Sequence, residues 1–255
     1  MPGPAEPFAI GNGPDACLLL HGLTGSPAEL RPVGEALARA GIHALAPLLP
    51  GHGTRPEDLE GVTRHDLLEA GKSALISLRG ARRLYLCGLS AGALVSIHLA
   101  GRGFSREGLP DLSGLALLAP AVQFAGLTWV FANVVGRLPA IPIIIGKGKR
   151  DLRAPTGTRA DGSYSAVPMR WGAELRALSA DAQRLAHRVR TRTLILHGAL
   201  DRTASPAGAR RLAQKLGSTK VELQILARSG HVLPLDVEGE AVCDRVVSFF
   251  QQGEV

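Results

Sequence analysis

Aromatic residues are scarce in this 255-residue chain: Phe, Trp and Tyr together make 4% of it. That argues against a surface of stacked rings, the device by which single-strand nucleic-acid binders hold bases. Cysteine is scarcer still. Cys17 and Cys87 fall in apolar strand-like runs and Cys243 in a helix-like one. An odd count in such places predicts buried free thiols, not a disulfide framework, and a reducing, cytoplasmic setting. Residues 1–8 are rich in proline and lack the basic-then-apolar layout of a signal peptide. Long apolar runs are missing too, with one exception. Residues 112–136 carry no formal charge over 25 positions, which reaches the length of a membrane span. Pro120, Gln123, Asn133 and three glycines interrupt it. A buried strand followed by an apolar helix accounts for the run, and no span is expected.

Acidic residues are in deficit, 22 against 29 basic ones, for a net charge of +7. Most of the basic residues are arginine, and they are scattered. The densest group is Lys147, Lys149, Arg150 and Arg153. A nucleic-acid binder concentrates its charge on one face or helix, so these residues are read as solvated surface and no nucleic-acid partner is expected. The histidines and cysteines show no metal-ligand spacing.

What is present is an alternation. Short apolar runs at 7–10, 16–20, 42–46, 83–87, 114–119, 193–197 and 221–226 read as strands. Helix-length segments separate them, at 27–40, 65–79, 91–101, 206–216 and 237–251. That order predicts parallel βαβ units in a single α/β domain. Ser26, Pro27 and Glu29 read as a capping box opening the first helix, and Asp236 as the cap of the last. The alternation breaks between 119 and 193. A structureless loop of about 70 residues is improbable in a compact domain, so residues 121–190 read as an inserted helical cap with no clear strand.

Residues 88–92, Gly-Leu-Ser-Ala-Gly, match the pattern G-x-S-x-G. In a chain with 31 glycines the match alone carries little weight. Its setting carries more: a strand-like run precedes it and a helix-like run follows, the context of a nucleophile elbow. Ser90 would project above the sheet as nucleophile, and the Ala91 N–H would face a developing oxyanion. A second such donor is expected from Leu23, in the turn that follows the strand at 16–20.

In this order of elements the acid and then the histidine follow the serine. His98 lies in the helix after the elbow, His187 in the cap and His197 inside a buried strand. His231, in a loop between the last strand and the last helix, is left as the base. Asp201, just past the strand at 193–197, is the acid that would orient it. His21 and His52 are expected to order their loops, not to act. Phe124, Trp129 and Phe131 are tentative lining for an acyl pocket, beside the alternative of core packing.

The segments LLLHGLTGSP, PLLPGHG, LCGLSAG, LILHGALDRTASP and RSGHVLPLD resemble those of bacterial carboxylesterases and monoacylglycerol lipases of the α/β-hydrolase family. The resemblance covers about 7–120 and 190–250. It implies a mostly parallel sheet of about seven strands flanked by helices. It also implies a triad of Ser90, Asp201 and His231, an oxyanion hole from Leu23 and Ala91, and hydrolysis of carboxylic esters, expected here to be short- to medium-chain, without a cofactor. The cap matches nothing in that pattern, and the elbow ends in one glycine followed by Ala93. A monoacylglycerol lipase or thioesterase, a serine aminopeptidase and a slow-turnover ligand receptor stand as rivals. The aminopeptidase would need a carboxylate near the pocket, and Asp151, Asp161, Glu174 and Asp181 are the cap's candidates.

Overall fold

The structure, a computed structural model, describes residues 5–103, 108–134, 143–148, 150–155 and 162–252. In chain order the first half runs β1 (Phe8–Ile10), β2 (Asp15–Leu20), α1 (Arg31–Arg39), β3 (Ile42–Ala46), α2 (Arg64–Ser77), β4 (Leu84–Leu89), α3 (Ala91–Arg102) and β5 (Leu112–Leu118). The second half runs α4 (Gly126–Asn133), β6 (Ile144–Gly146), β7 (Ala166–Pro168), α5 (Trp171–Leu185), β8 (Thr193–Gly198), α6 (Pro206–Lys215), β9 (Val221–Leu226) and α7 (Gly239–Gln251).

Seven strands form one sheet in the order β1-β3-β2-β4-β5-β8-β9, parallel except for β1. This is the α/β-hydrolase architecture, and all seven expected strands are there within two residues at either end. β2, β4 and β8 are buried along their whole length, as strands covered by helices on both faces must be. One face packs Leu37 of α1 and Val246, Phe249 and Phe250 of α7. The other packs α2 and α3 together with Trp171 and Leu178 of α5. The chain passes from β2 to β3 on one side and then crosses back past β2 to β4 on the other, so the direction of the connections reverses at β2. In open α/β sheets the cleft above such a reversal is where ligands bind.

Three expectations are corrected. The first helix opens as a 3-10 turn, Pro27–Leu30, before α1. Ser26 Oγ accepts the Ala28 N–H at 3.2 Å, and Glu29 Oε1 accepts from Arg150 at 3.0 Å. The region 121–190 does contain strands: β6 and β7 pair as a short antiparallel ribbon. Asp236 does not cap α7, whose first turn has no side-chain cap. The three cysteines are buried and free. Among the described residues no helix is long and apolar enough to cross a membrane.

Within 121–190, α5 lies against α3 in the sheet's own helical layer, with Trp171 fully buried and its Nε1–H donating to Leu59 O at 2.9 Å. Other described parts of the insertion meet the loops at the carboxyl ends of the strands. Tyr164 N–H donates to Thr24 O after β2, and Phe124 bridges Ala204 after β8. α4 leaves Leu127, Trp129 and Val130 exposed.

Candidate active site

Ser90 sits where β4 turns into α3, with φ 57° and ψ −114°. An L-residue with a side chain is strained there, and such strain persists only where the surroundings enforce it. The enforcement is local. A Cβ at Gly92 would lie 2.0 Å from Leu20 O, and one at Gly88 would lie 2.4 Å from Gly92 O. Only glycine lets the turn close. Ser90 N–H then donates to Leu118 O at 2.9 Å. Ala91 is the first residue of α3, so its N–H is one of those a helix start leaves without an intrahelical partner.

The loop after β2 passes directly over the serine: a Cβ at Gly22 would lie 3.2 Å from Ser90 Cβ. Leu23 follows it. Two buried rings fix the loop. Leu49 N–H donates to His21 Nε2 at 3.0 Å, and Thr24 N–H to His52 Nε2 at 3.1 Å. Each Nδ1 faces a carbonyl, Gly22 O at 2.9 Å and Pro50 O at 2.8 Å. Burial holds His21 down to about 3 and His52 to about 4. Both rings are therefore neutral at pH 7, the only state in which Nε2 accepts. Tyr164 stacks on His52 with its hydroxyl 2.9 Å from Gly51 O.

Asp201 and His231 arrive on the loops after β8 and β9. Ser90 Oγ–H donates to His231 Nε2 at 2.8 Å, and His231 Nδ1–H donates to Asp201 Oδ2 at 2.7 Å. The other carboxylate oxygen accepts the Thr203 and Ala204 N–H groups, both at 2.8 Å. Burial opposes charge on Asp201, but His231 and His197 outweigh it and hold the carboxyl well below its usual range. Burial likewise opposes charge on His231. The carboxylates of Asp201, Asp151 and Glu29 outweigh it, and its pKa is raised above the ordinary imidazole value.

His197 is a contact that the strand pattern hid. Its fully buried Nε2 lies 3.0 Å from Asp201 Oδ2 and 3.1 Å from Ala204 O. Both partners are acceptors, so Nε2 carries the proton. The only advance signal was the short spacing between His197 and Asp201.

Of the basic group, Lys147 is exposed as expected, but Arg150 and Arg153 are not simply solvated. Arg150 turns inward to Glu29 at 3.0 Å, Arg153 to Asp151 at 3.1 Å, and Lys147 Nζ donates to Thr24 Oγ1. Lys149 and Asp161 lie outside the described residues. Of the cap's other carboxylates, Glu174 and Asp181 both hold Arg64. Among the three aromatics, Phe124 is buried in the main core, Phe131 packs half-buried against it and Trp129 is half exposed. No ring contact joins them among the described residues. Nor is any group of three or more His, Cys, Asp or Glu there placed to hold a metal ion.

A family model described as serine aminopeptidase, S33, matches residues 13–238. Over 247 residues the chain is 32% identical to the thermostable monoacylglycerol lipase of Bacillus sp. (strain H-257), covering 96% of this chain and 94% of the lipase. It is 24% identical to a carboxylesterase of Bacillus subtilis (strain 168), over 97% of this chain and 96% of that enzyme. A solved structure from work on LipS and LipT, two metagenome-derived lipolytic enzymes, superposes with a TM-score of 0.87 at 28% identity, covering 99% of both chains.

Proposed function

The chain belongs to the S33 serine aminopeptidase family of α/β hydrolases, and from that premise we propose that it is a serine carboxylesterase acting on short- to medium-chain esters. The observation that carries this reading is the continuous hydrogen-bonded path from Asp201 through His231 to Ser90. Ser90 Oγ attacks the ester carbonyl while His231 Nε2 takes its proton. Asp201 holds the ring's tautomer and stabilises the imidazolium. The Leu23 and Ala91 N–H groups hold the oxyanion. The tetrahedral intermediate collapses, the C–O bond breaks, and His231 returns the proton to the leaving alcohol. Water, deprotonated by His231, then attacks the acyl-enzyme and releases the acid and Ser90. Residues 121–190 act as a cap whose α5 is built into the core, and Phe124, Trp129 and Phe131 line the acyl pocket beneath it.

Ester over peptide is favoured by the state of the carboxylates. An aminopeptidase must keep one free for the substrate's amine. Among the described residues, Asp151 and Glu29, carboxylates whose charge bears on His231 beside that of Asp201, are each held by an arginine. A second reading, a monoacylglycerol lipase, is favoured by the 32% identity to the Bacillus lipase of that name. One panel separates these readings: p-nitrophenyl esters, monoacylglycerols and aminoacyl anilides. Turnover of esters with inert anilides is expected. Anilides as best substrates would overturn the carboxylesterase reading, and monoacylglycerols far ahead of simple esters would replace it with the lipase.

A further inference from the structure

Resting on that reading of Ser90, Asp201 and His231, we propose that Asp151 is a positioning residue, the centre of a clamp by which residues 150–154 of the insertion hold the acid loop and the base loop in register. Among the described residues the two loops meet directly through the His231–Asp201 bond and one backbone bond, Leu200 N–H to Ser229 O at 3.0 Å. Asp151 supplies the rest. Its main-chain oxygen accepts the N–H of His231 itself at 2.9 Å. Its carboxylate reaches the other way, accepting Arg202 N–H at 2.6 Å and Thr203 Oγ–H at 3.2 Å, the two residues after Asp201. One side chain and its own carbonyl thus bridge from the neighbours of the acid to the base.

The neighbours of Asp151 complete the clamp. Arg153 Nη2 donates to Asp151 Oδ1 at 3.1 Å and to Leu200 O at 2.8 Å. The N–H groups of Arg153 and Ala154 donate to Asp236 Oδ1 at 2.7 and 2.8 Å. The other oxygen of Asp236 accepts Gly230 N–H at 2.6 Å, immediately before His231. The fit is tight enough to exclude a side chain. A Cβ at Gly230 would lie 2.8 Å from Asp151 O and 2.9 Å from its Oδ1. A misplacement of about 1 Å between catalytic groups costs roughly 100-fold in rate, so a clamp of this kind belongs to the reaction although it touches no substrate.

Asp151 also acts through charge. The groups that bear on the His231 ring are Asp201, backed by His197, then Asp151 held by Arg153, and Glu29 held by Arg150. Removing the Asp151 charge takes away one of the three that favour the imidazolium. The acid limb of the pH–rate profile must then move to lower pH, a change that loss of packing alone would not produce.

The test uses the full chain with p-nitrophenyl butyrate: wild type, Ser90→Ala, Asp151→Asn and Arg153→Met. It reads kcat and KM across pH, thermal melting, and the far-downfield NMR signal of the His231 Nδ1 proton. Asp151→Asn is expected to lose on the order of 10- to 100-fold in kcat with KM little changed, to shift the acid limb down, and to broaden or move the downfield proton. Arg153→Met, which keeps the Asp151 charge but frees its anchor, should lose less in kcat and not move the limb down. If Asp151→Asn does not fold, the kcat of Arg153→Met decides: a loss supports the clamp and wild-type turnover overturns it. A folded Asp151→Asn with wild-type kcat and an unmoved limb, beside an inactive Ser90→Ala, overturns the clamp alone. An active Ser90→Ala overturns the triad reading beneath it.

Discussion

Ser90 and the Asp201–His231 pair are held in two unlike ways. Ser90 is fixed by what lies next to it: a strand, a helix start, and two glycines whose missing side chains let the chain double back onto Leu20 O. Asp201 and His231 sit on separate loops at the far side of the sheet and are joined by residues 50 to 80 positions away, chiefly Asp151. A strained local turn is rigid because nothing in it has anywhere to go. A pair of loops is rigid only while every tie between them is made. The first half of the site should therefore fail by chemistry or by steric overlap, and the second by loosening.

The largest effect breaks the chemistry without touching the scaffold. Ser90→Ala should lose on the order of 10³-fold or more in kcat/KM, leaving what binding and the oxyanion donors supply. A fluorophosphonate should label Ser90 in the wild type one to one, and labelling elsewhere would sink the assignment. Ser90→Gly sharpens the point. It should be as inactive as the alanine variant yet melt higher, because glycine adopts φ 57° without the strain, of order 1–3 kcal/mol, that a side chain incurs. If the glycine variant melts no higher than the alanine one, the elbow is not strained as described.

The next effect breaks each half structurally. Gly92→Ala drives a Cβ against backbone that cannot yield, 2.0 Å away, and should cost at least about 1–3 kcal/mol of stability. Asp236→Asn tests the other half. The carboxylate accepts four backbone N–H groups, from Arg153, Ala154, Gly230 and Val237. An amide offers one oxygen and turns an N–H toward the remaining donors, a loss of about 1–3 kcal/mol. Activity should fall with it, because Gly230 adjoins His231. Full activity in a destabilised Asp236→Asn would show that the base loop holds its place without this tie.

How much of this was legible beforehand follows the same division. Ser90, its glycines, and the strand–turn–helix around them could be read because each depends on neighbours within a few positions. The seven sheet strands were legible for the same reason: their apolar runs need no partner to be recognised. Asp236 was misread because its sequence neighbours suit a helix cap, while its actual partners come from 153–154 and from the loop before it. Arg150 and Arg153 were misread likewise. Charge in a polar loop reads as solvated until Glu29 and Asp151 are known to face it. The ribbon β6–β7 is three residues a side, too short for alternation to register, and α5 could be assigned to the core only once α3 was seen beneath it.

A smaller effect compares one residue type across the two halves. His21 and His52, in the nucleophile's half, are neutral until the pH falls toward 4. His231 is raised above the ordinary value of about 6.5. On the proposed mechanism only the uncharged His231 ring takes the serine proton, so kcat/KM should fall as the pH drops through its raised pKa, along a single-proton limb centred above about 6.5. The oxyanion loop should stay intact through that range. A second limb between pH 4 and 6 that is matched by unfolding would place the early titration in His21 and His52 instead.

The smallest effect concerns the insertion, proposed above as a cap over the site. A pocket beneath it should reward each acyl methylene by about 0.8 kcal/mol until it is full. The kcat/KM for p-nitrophenyl esters should therefore rise from acetate to somewhere near butyrate–octanoate and then fall. The three cap aromatics are unequal probes of that rise. Phe124 is core, and its alanine variant would lose about 3–5 kcal/mol of stability whatever its role in binding. Trp129, half exposed on α4, can be truncated for about 0.5 kcal/mol or less. Phe131, on the same helix and partly packed, falls between. Trp129→Ala and Phe131→Ala should leave the acetate rate near wild type and flatten the profile at longer chains. The expected difference is small, because a half-exposed ring removes only part of a bound chain from water. If acetate is the best substrate and neither variant changes the profile, these rings do not line the site. The acyl chain would then have to be sought along the inner wall formed by Leu23 and the loop after β2, in the nucleophile's half alone.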